Sequence, residues 1–238
     1  MKYIQKAFEK FLDLDCFLPI WLVAFIPSLI FYLKTGVHGF MPEKEQELLM
    51  AKLPVEVWVS PPILFCIFFT LVGTVLSAQI ALRKAKGEES IPFLENFNET
   101  FNIIGPWLLT GLLYIIAVIP MVILLVVTVG FFTPVLIWFG VATSLWAYVV
   151  VNEKSAGWTP IATSIGLVKG KWWSFFGILI LVGIMTALGS GLLYSIGELV
   201  NTALGIALGM ALAPIQILTM SFVYLALSKN KESLKTFQ

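Results

Sequence analysis

The fold of this chain is decided by a stretch without a charged residue, residues 103–151: IIGPWLLTGLLYIIAVIPMVILLVVTVGFFTPVLIWFGVATSLWAYVVV. As one helix it would be about 74 Å long at about 1.5 Å per residue, more than twice the roughly 30 Å hydrocarbon core of a bilayer. The stretch must therefore reverse, and we place the turn at Gly130, with Pro120 and Pro134 nearby. It predicts two antiparallel membrane-spanning helices.

The composition extends this prediction to the whole chain. Hydrophobic residues make up 59% and charged residues 12%, against roughly 45–50% and about 25% in soluble domains. Four further charge-free stretches each fit one helix of roughly 20 apolar residues. The sequence therefore predicts an all-α integral membrane protein with six transmembrane helices, at about residues 16–33, 57–82, 105–128, 131–151, 172–194 and 202–227.

The basic residues predict the orientation, because Lys and Arg collect on the cytoplasmic side. Only Lys34, Lys44 and Lys52 fall on one side of the predicted membrane. The other side carries the remaining basic residues, which are Lys2, Lys6, Lys10, Arg83, Lys84, Lys86, Lys154, Lys169, Lys171, Lys229, Lys231 and Lys235. Both termini are therefore expected in the cytoplasm. The net charge of +1 hides this asymmetry, and no nucleic-acid partner is expected.

Three short amphipathic patterns precede the first, third and fifth spans. Their apolar residues recur mostly at three- and four-residue spacing opposite polar ones, which is typical of a helix in the membrane interface. The sets are Ile4, Ala7, Phe8, Phe11 and Leu12; Leu94, Phe97, Phe101 and Ile104; and Ile161, Ile165 and Val168. We predict a single membrane domain, residues 1–238, of three units that each join an interfacial helix to a transmembrane hairpin, roughly 1–83, 84–151 and 152–238.

The third unit carries a recognisable stretch. It consists of Asn152-Glu153-Lys154, then Trp158-Thr159-Pro160-Ile161-Ala162-Thr163-Ser164, then Leu167-Val168-Lys169-Gly170-Lys171-Trp172-Trp173. This resembles the six-helix bacterial membrane proteins related to YciC and to the membrane domain of glycerophosphodiester phosphodiesterases. In these an acidic residue precedes an amphipathic helix with a central Ser and a terminal Lys-Gly-aromatic segment. The resemblance implies a fold more than an activity, and it implies the inner, cytoplasmic membrane of a prokaryote. Phosphodiesterase activity is not expected, since the sequence contains no such catalytic domain.

Two groups in this unit are candidate docking or lipid-anchoring residues. Glu153 can pair with Lys169 or Lys171 and hold the interfacial helix against the bundle; the alternatives are solvated flanking charges, or a transport or catalytic role. Exposed ion pairs contribute only about 0–1 kcal/mol. Lys169 and Lys171 with Trp172 and Trp173 also suit a surface of anionic lipid headgroups, since basic and indole side chains anchor spans at the interface.

Small residues at four-residue spacing mark candidate packing faces on the last two spans. One face carries Gly205, Gly209 and Ala213, and the other carries Ala187, Gly191 and Ser195. Such faces let another backbone approach closely. Their expected use is the hairpin of spans five and six, with a homo-oligomer or a partner membrane protein as the alternative.

The segment between the first two spans, residues 34–58, is the only sizeable polar piece on the predicted extracytoplasmic side. Pro42 and Pro54 bracket a predicted helix ending at Leu53, and the segment is expected to serve either as a docking surface for another protein or as a lid. His38 has no second His or Cys nearby, so no metal site is expected. Cys16 and Cys66 are expected to be packing residues.

These features predict a non-enzymatic membrane protein, acting as an assembly, scaffold or accessory subunit in contact with membrane lipids. The spans carry no Asp, Glu, Lys, Arg or His at mid-membrane, which argues against ion pumps and proton-coupled carriers and against acid–base catalysis. No catalytic residue, cofactor or metal is expected. The alternative is a small transporter, channel or lipid-binding permease with a hydroxyl-lined cavity. A continuous cavity would favour the alternative, and a sealed centre with exposed small-residue faces would favour a subunit role.

Overall fold

The computed structural model describes residues 2–11, 13–88, 92–128 and 130–235, and within these residues the chain forms helices and no strand. In chain order the helices are α1 (Lys2–Phe11), α2 (Leu14–Thr35), α3 (Glu43–Lys52), α4 (Val55–Trp58), α5 (Pro61–Lys86), α6 (Phe93–Val127), α7 (Thr133–Thr143), α8 (Trp146–Glu153), α9 (Trp158–Val168), α10 (Trp172–Glu198), α11 (Thr202–Gly209) and α12 (Ala213–Lys235), with a 3-10 turn at Met210–Leu212 between α11 and α12.

Six described segments are long and apolar enough to cross a membrane, as predicted. The turn predicted at Gly130 is also confirmed, because this residue lies between α6 and α7 with a φ of +87°, a region that glycine enters without steric cost. The six segments are Leu14–Thr35, Pro61–Lys86, Leu94–Val127, Thr133–Glu153, Trp172–Glu198 and Thr202–Lys229. In the part of the chain that the structure describes, the protein is thus an all-helical membrane protein.

The second predicted interfacial helix is not a separate element. α6 runs without a break for 35 residues, or about 52 Å at about 1.5 Å per residue. Pro106 lies inside this helix and does not end it, because the loss of one backbone donor bends a helix more readily than it ends one. The bundle buries Thr100 and Ile103, while Leu94 and Phe101 of the predicted apolar face are exposed.

Separate short helices lie at the first and third predicted positions, as α1 and α9, and their location in the membrane interface stays a prediction. α1 packs against α12, and α9 packs against α6, α7, α8 and α12. Protein buries Ala7 of α1 and Ile161 and Val168 of α9, so part of each apolar face is covered by the bundle and not by lipid. Leu12 lies outside the described residues.

The six spans differ in their position within the bundle. We compare the share of buried residues in the most apolar 18-residue stretch of each span. This share is 56% in α5 and 50% in the last span, but only 6% in α6 and in α10. Val75, Val149 and Tyr224, from the second, fourth and sixth spans, are fully buried in one cluster. α6 and α10 therefore lie on the outside of a centre built from the second, fourth and sixth spans.

Candidate functional site

The central serine of the recognisable stretch joins α9 to a break in the fourth span. α7 ends at Thr143 and α8 begins at Trp146, which interrupts the helical hydrogen bonds. The fully buried Ser164 of α9 donates from Oγ to the carbonyl oxygen of Ala142 at 2.9 Å and accepts from the backbone N–H of Leu145 at 3.2 Å. One hydroxyl thus satisfies both sides of the break, which matters because a buried unpaired backbone group is costly.

The predicted docking pair of Glu153 with Lys169 or Lys171 is not formed. All three side chains are exposed, and the ion pairs within the described part of the chain do not include Glu153. Trp173 is 77% exposed, while Trp172 stacks on Phe176 of its own helix with ring centroids 4.9 Å apart. The role of this group in lipid anchoring stays a prediction.

Ion pairs instead connect the end of α5 to its neighbours. Arg83 contacts the Glu99 carboxylate of α6 at 2.6 Å, and Gln79 donates to the same oxygen at 2.6 Å. Lys84 pairs with Asp13, which precedes α2, and this hydrogen bond lowers the pKa of Asp13. Of these residues, sequence reasoning singled out only Arg83 and Lys84, as basic residues that flank a span. Gln79 and Arg83 lie four apart on one helix face, which is the signal it missed.

The small-residue face of the last span is turned inward. Gly205 packs against Tyr194 of α10, and a side chain at Gly197 would lie 2.7 Å from the backbone of Gly205. Gly209 packs against the ring of Phe40, and Ala213 is partly buried. This face therefore serves the α10–α11 hairpin and its contact with the segment between the first two spans.

The small-residue face of α10 is turned outward. Ala187 and Ser195 are exposed and Gly191 is partly exposed, and a side chain added at Gly191 would meet no atom within 4 Å. This face takes no part in the hairpin.

The segment between the first two spans covers one end of the bundle. Its predicted helix is confirmed as α3, Glu43–Lys52, which has no buried residue. The preceding loop is held more firmly, since Phe40 stacks on Tyr194 with ring centroids 4.7 Å apart and His38 is only 8% exposed.

Two cavities meet at His38. The first, which we call the His38 pocket, has a volume of about 510 Å³ and lies between α2, α3 and α5. The second has about 380 Å³ and is bordered by Tyr194, Glu198 and Glu45. The His38 pocket is lined by Pro27, Ser28, Phe31, Val37, His38, Gly39, Gln46, Met50, Cys66, Ile67, Thr70 and Leu71.

The hydrogen bonds around His38 indicate its tautomer. The hydroxyl of Tyr194 donates to Glu198 at 2.8 Å, so its only proton is committed. The 3.4 Å contact between this hydroxyl and Nε2 of His38 is then a hydrogen bond when Nε2 carries the proton of the ring. Nδ1 is left as a buried acceptor with no hydrogen-bond partner among the described residues. Burial lowers the pKa of His38, against the opposing effect of Glu198 and Glu45, and this favours the neutral ring.

Among the described residues, no group of three or more His, Cys, Asp or Glu side chains could hold a metal ion. Cys16 and Cys66 are both buried as free thiols.

Comparisons with protein-family models, curated proteins and solved structures gave no match. The resemblance to the YciC-related proteins therefore stays a prediction.

Proposed function

We propose that this protein is a non-enzymatic subunit that assembles with, or serves as a scaffold for, another protein of the same membrane. The observation that carries the proposal is the packed centre of the bundle. Val75, Leu145 and Val149 are fully buried there, so apolar side chains of the second and fourth spans pack together in the described part of the centre.

The hydroxyl groups of the last span agree with this proposal. Thr219 donates to the carbonyl oxygen of Ile215 at 2.8 Å, and Ser221 donates to that of Ile217 at 3.0 Å. Both hydroxyls thus bond to their own helix, one turn back, and neither needs a polar solute. The hydroxyls of this span therefore do not by themselves favour the alternative, a small transporter, channel or lipid-binding permease with a hydroxyl-lined cavity.

The peripheral position of α10 supplies the surface that such a subunit needs. Its outward face of Ala187, Gly191 and Ser195 permits a neighbouring backbone to approach closely, which is how helices associate in lipid. The partner would be a transmembrane helix of another protein or of a second copy. The basic residues favour both termini in the cytoplasm, and the resemblance to bacterial membrane proteins favours the cytoplasmic membrane of a prokaryote.

The test is purification of the chain in nanodiscs directly from its native membrane, with mass spectrometry of proteins and lipids that remain bound. We expect a stoichiometric membrane protein or a defined homo-oligomer. Gly191→Leu should abolish this association, and Gly177→Leu should preserve it because Gly177 does not belong to the set Ala187, Gly191 and Ser195. A Cβ atom at either glycine meets no atom within 4 Å inside the chain. A lone monomer, or equal association of both variants, would contradict the proposal.

A further inference from the structure

The His38 pocket has the composition of a binding site for an amphiphile. Its volume of about 510 Å³ lies within the roughly 300–1,000 Å³ range of small-molecule sites, which are mostly apolar with a few polar groups. Phe31, Ile67 and Leu71 represent its apolar lining, and His38 and Gln46 stand at the end covered by α3. None of the described residues that line it carries a charge.

The pocket reaches from the surface into the membrane-spanning part of the bundle. Thr70 and Leu71 lie nine and ten residues after Pro61, the first residue of α5, so they lie about 14–15 Å along that helix at about 1.5 Å per residue. That is about half of the roughly 30 Å hydrocarbon core. Ile67 is 52% exposed, so this side of the pocket faces the lipid. A bilayer component can therefore enter from the side.

We propose that the His38 pocket binds a membrane amphiphile with one apolar chain and an uncharged head that carries a hydroxyl, the class to which monoacylglycerols and long-chain alcohols belong. The chain lies between α2 and α5, and the head lies beneath α3 beside His38. This binding does not depend on the subunit role.

His38 supplies the recognition of the head. Its Nε2 contacts Tyr194, which borders the second cavity and not the His38 pocket, so Nδ1 is the ring nitrogen that this contact leaves without a partner. A small displacement of the ring brings Nδ1 to a hydroxyl donor, which satisfies an acceptor that lacks a partner among the described residues. An ionised head would meet no opposite charge in the lining, and an unpaired charge in an apolar site is strongly disfavoured.

The experiment uses the full chain in nanodiscs with a trace of a monoacylglycerol bearing a diazirine and an alkyne on its chain. After irradiation, we expect label on peptides that contain Phe31, Ile67 and Leu71. Ile67→Trp should block the pocket and remove this label. Leu64→Trp is the matched control, because Leu64 is also 52% exposed on α5 but does not line the pocket. Equal labelling of the two tryptophan variants would overturn the proposal.

The head group is tested with two further comparisons. His38→Phe should lower labelling by about five-fold, the value of one neutral hydrogen bond, while His38→Asn should retain it because its amide oxygen can replace Nδ1. A fatty acid with the same chain, ionised at pH 8, should label less than the monoacylglycerol. Equal labelling by the two lipids, or by wild type and His38→Phe, would refute recognition of the head. If His38→Phe fails to fold, the tryptophan pair still decides whether the pocket binds the chain.

Discussion

Replacement of Gly197 by alanine tests the closest backbone approach in the bundle, where α10 meets α11. A side chain at this position would lie 2.7 Å from the Cα and N atoms of Gly205 and from the carbonyl oxygen of Leu204. All three are backbone atoms, so no side-chain rotation can relieve the contact. An ordinary separation of about 3.4 Å would require α11 to move by about 0.7 Å, and close-packed interiors resist such a shift.

The expected change in the free energy of unfolding of Gly197→Ala follows from two opposing effects. Alanine in place of a helical glycine stabilises by up to about 1 kcal/mol, and overpacking typically destabilises by about 1–3 kcal/mol. Gly183→Ala, on the same helix, gives only the first effect, because no atom lies within 4 Å of a side chain there. We therefore expect the free energy of unfolding of Gly197→Ala to be about 1–3 kcal/mol below that of Gly183→Ala.

The assay is equilibrium unfolding in mixed micelles with a rising mole fraction of SDS, followed by circular dichroism and tryptophan fluorescence. Both variants are measured against wild type in the same detergent. If the two variants agree within about 0.5 kcal/mol, the usual range of neutral substitutions, the close approach of α10 and α11 is wrong.

Three further predictions concern capping, the helix break and pH. Asn201 caps α11 through its side-chain oxygen, so Asn201→Ala should lower the free energy of unfolding by about 1 kcal/mol in the same SDS titration. Ser164→Ala should cost about 1–3 kcal/mol because it leaves buried backbone groups without partners; unchanged stability would refute its role at the break. Burial lowers the pKa of His38 from 6.5, so the unfolded chain binds more protons below that pH and stability should fall as pH drops through 6.5. His38→Gln should remove this loss of stability. A separate loss is expected below pH 3.8, because Lys84 lowers the pKa of Asp13 from 3.8, and Lys84→Met should remove it.

The number of the spans and the approximate positions of five of them follow from the sequence by itself, while the third begins at Leu94 and not near residue 105. A span is recognised by comparing a charge-free length with the thickness of a bilayer, which needs no knowledge of neighbours. The reversal at Gly130 follows for the same reason, since residues 103–151 are too long for one crossing. The position of α3 between Pro42 and Pro54 was also predictable, because proline restricts the backbone locally.

The sequence did not predict the separation of central from peripheral spans. Lipid tails are as apolar as leucine, so hydrophobicity does not tell a face covered by protein from a face covered by lipid. α5 and α6 are both strongly apolar, and yet their buried fractions differ. The same ambiguity explains why the amphipathic pattern at Leu94 and Phe101 predicted a separate helix where α6 continues.

The tertiary structure alone decided which polar residues meet. The ion pair forms between Arg83 and Glu99, whereas the sequence predicted a pair that involves Glu153. Pairing depends on which helices lie side by side, and the sequence does not show this. Ser28, His38 and Ile67 come from three separate elements and share one pocket only after these elements pack. Spans depend on the local balance between apolar side chains and the bilayer, and sites depend on contacts between residues far apart in the chain.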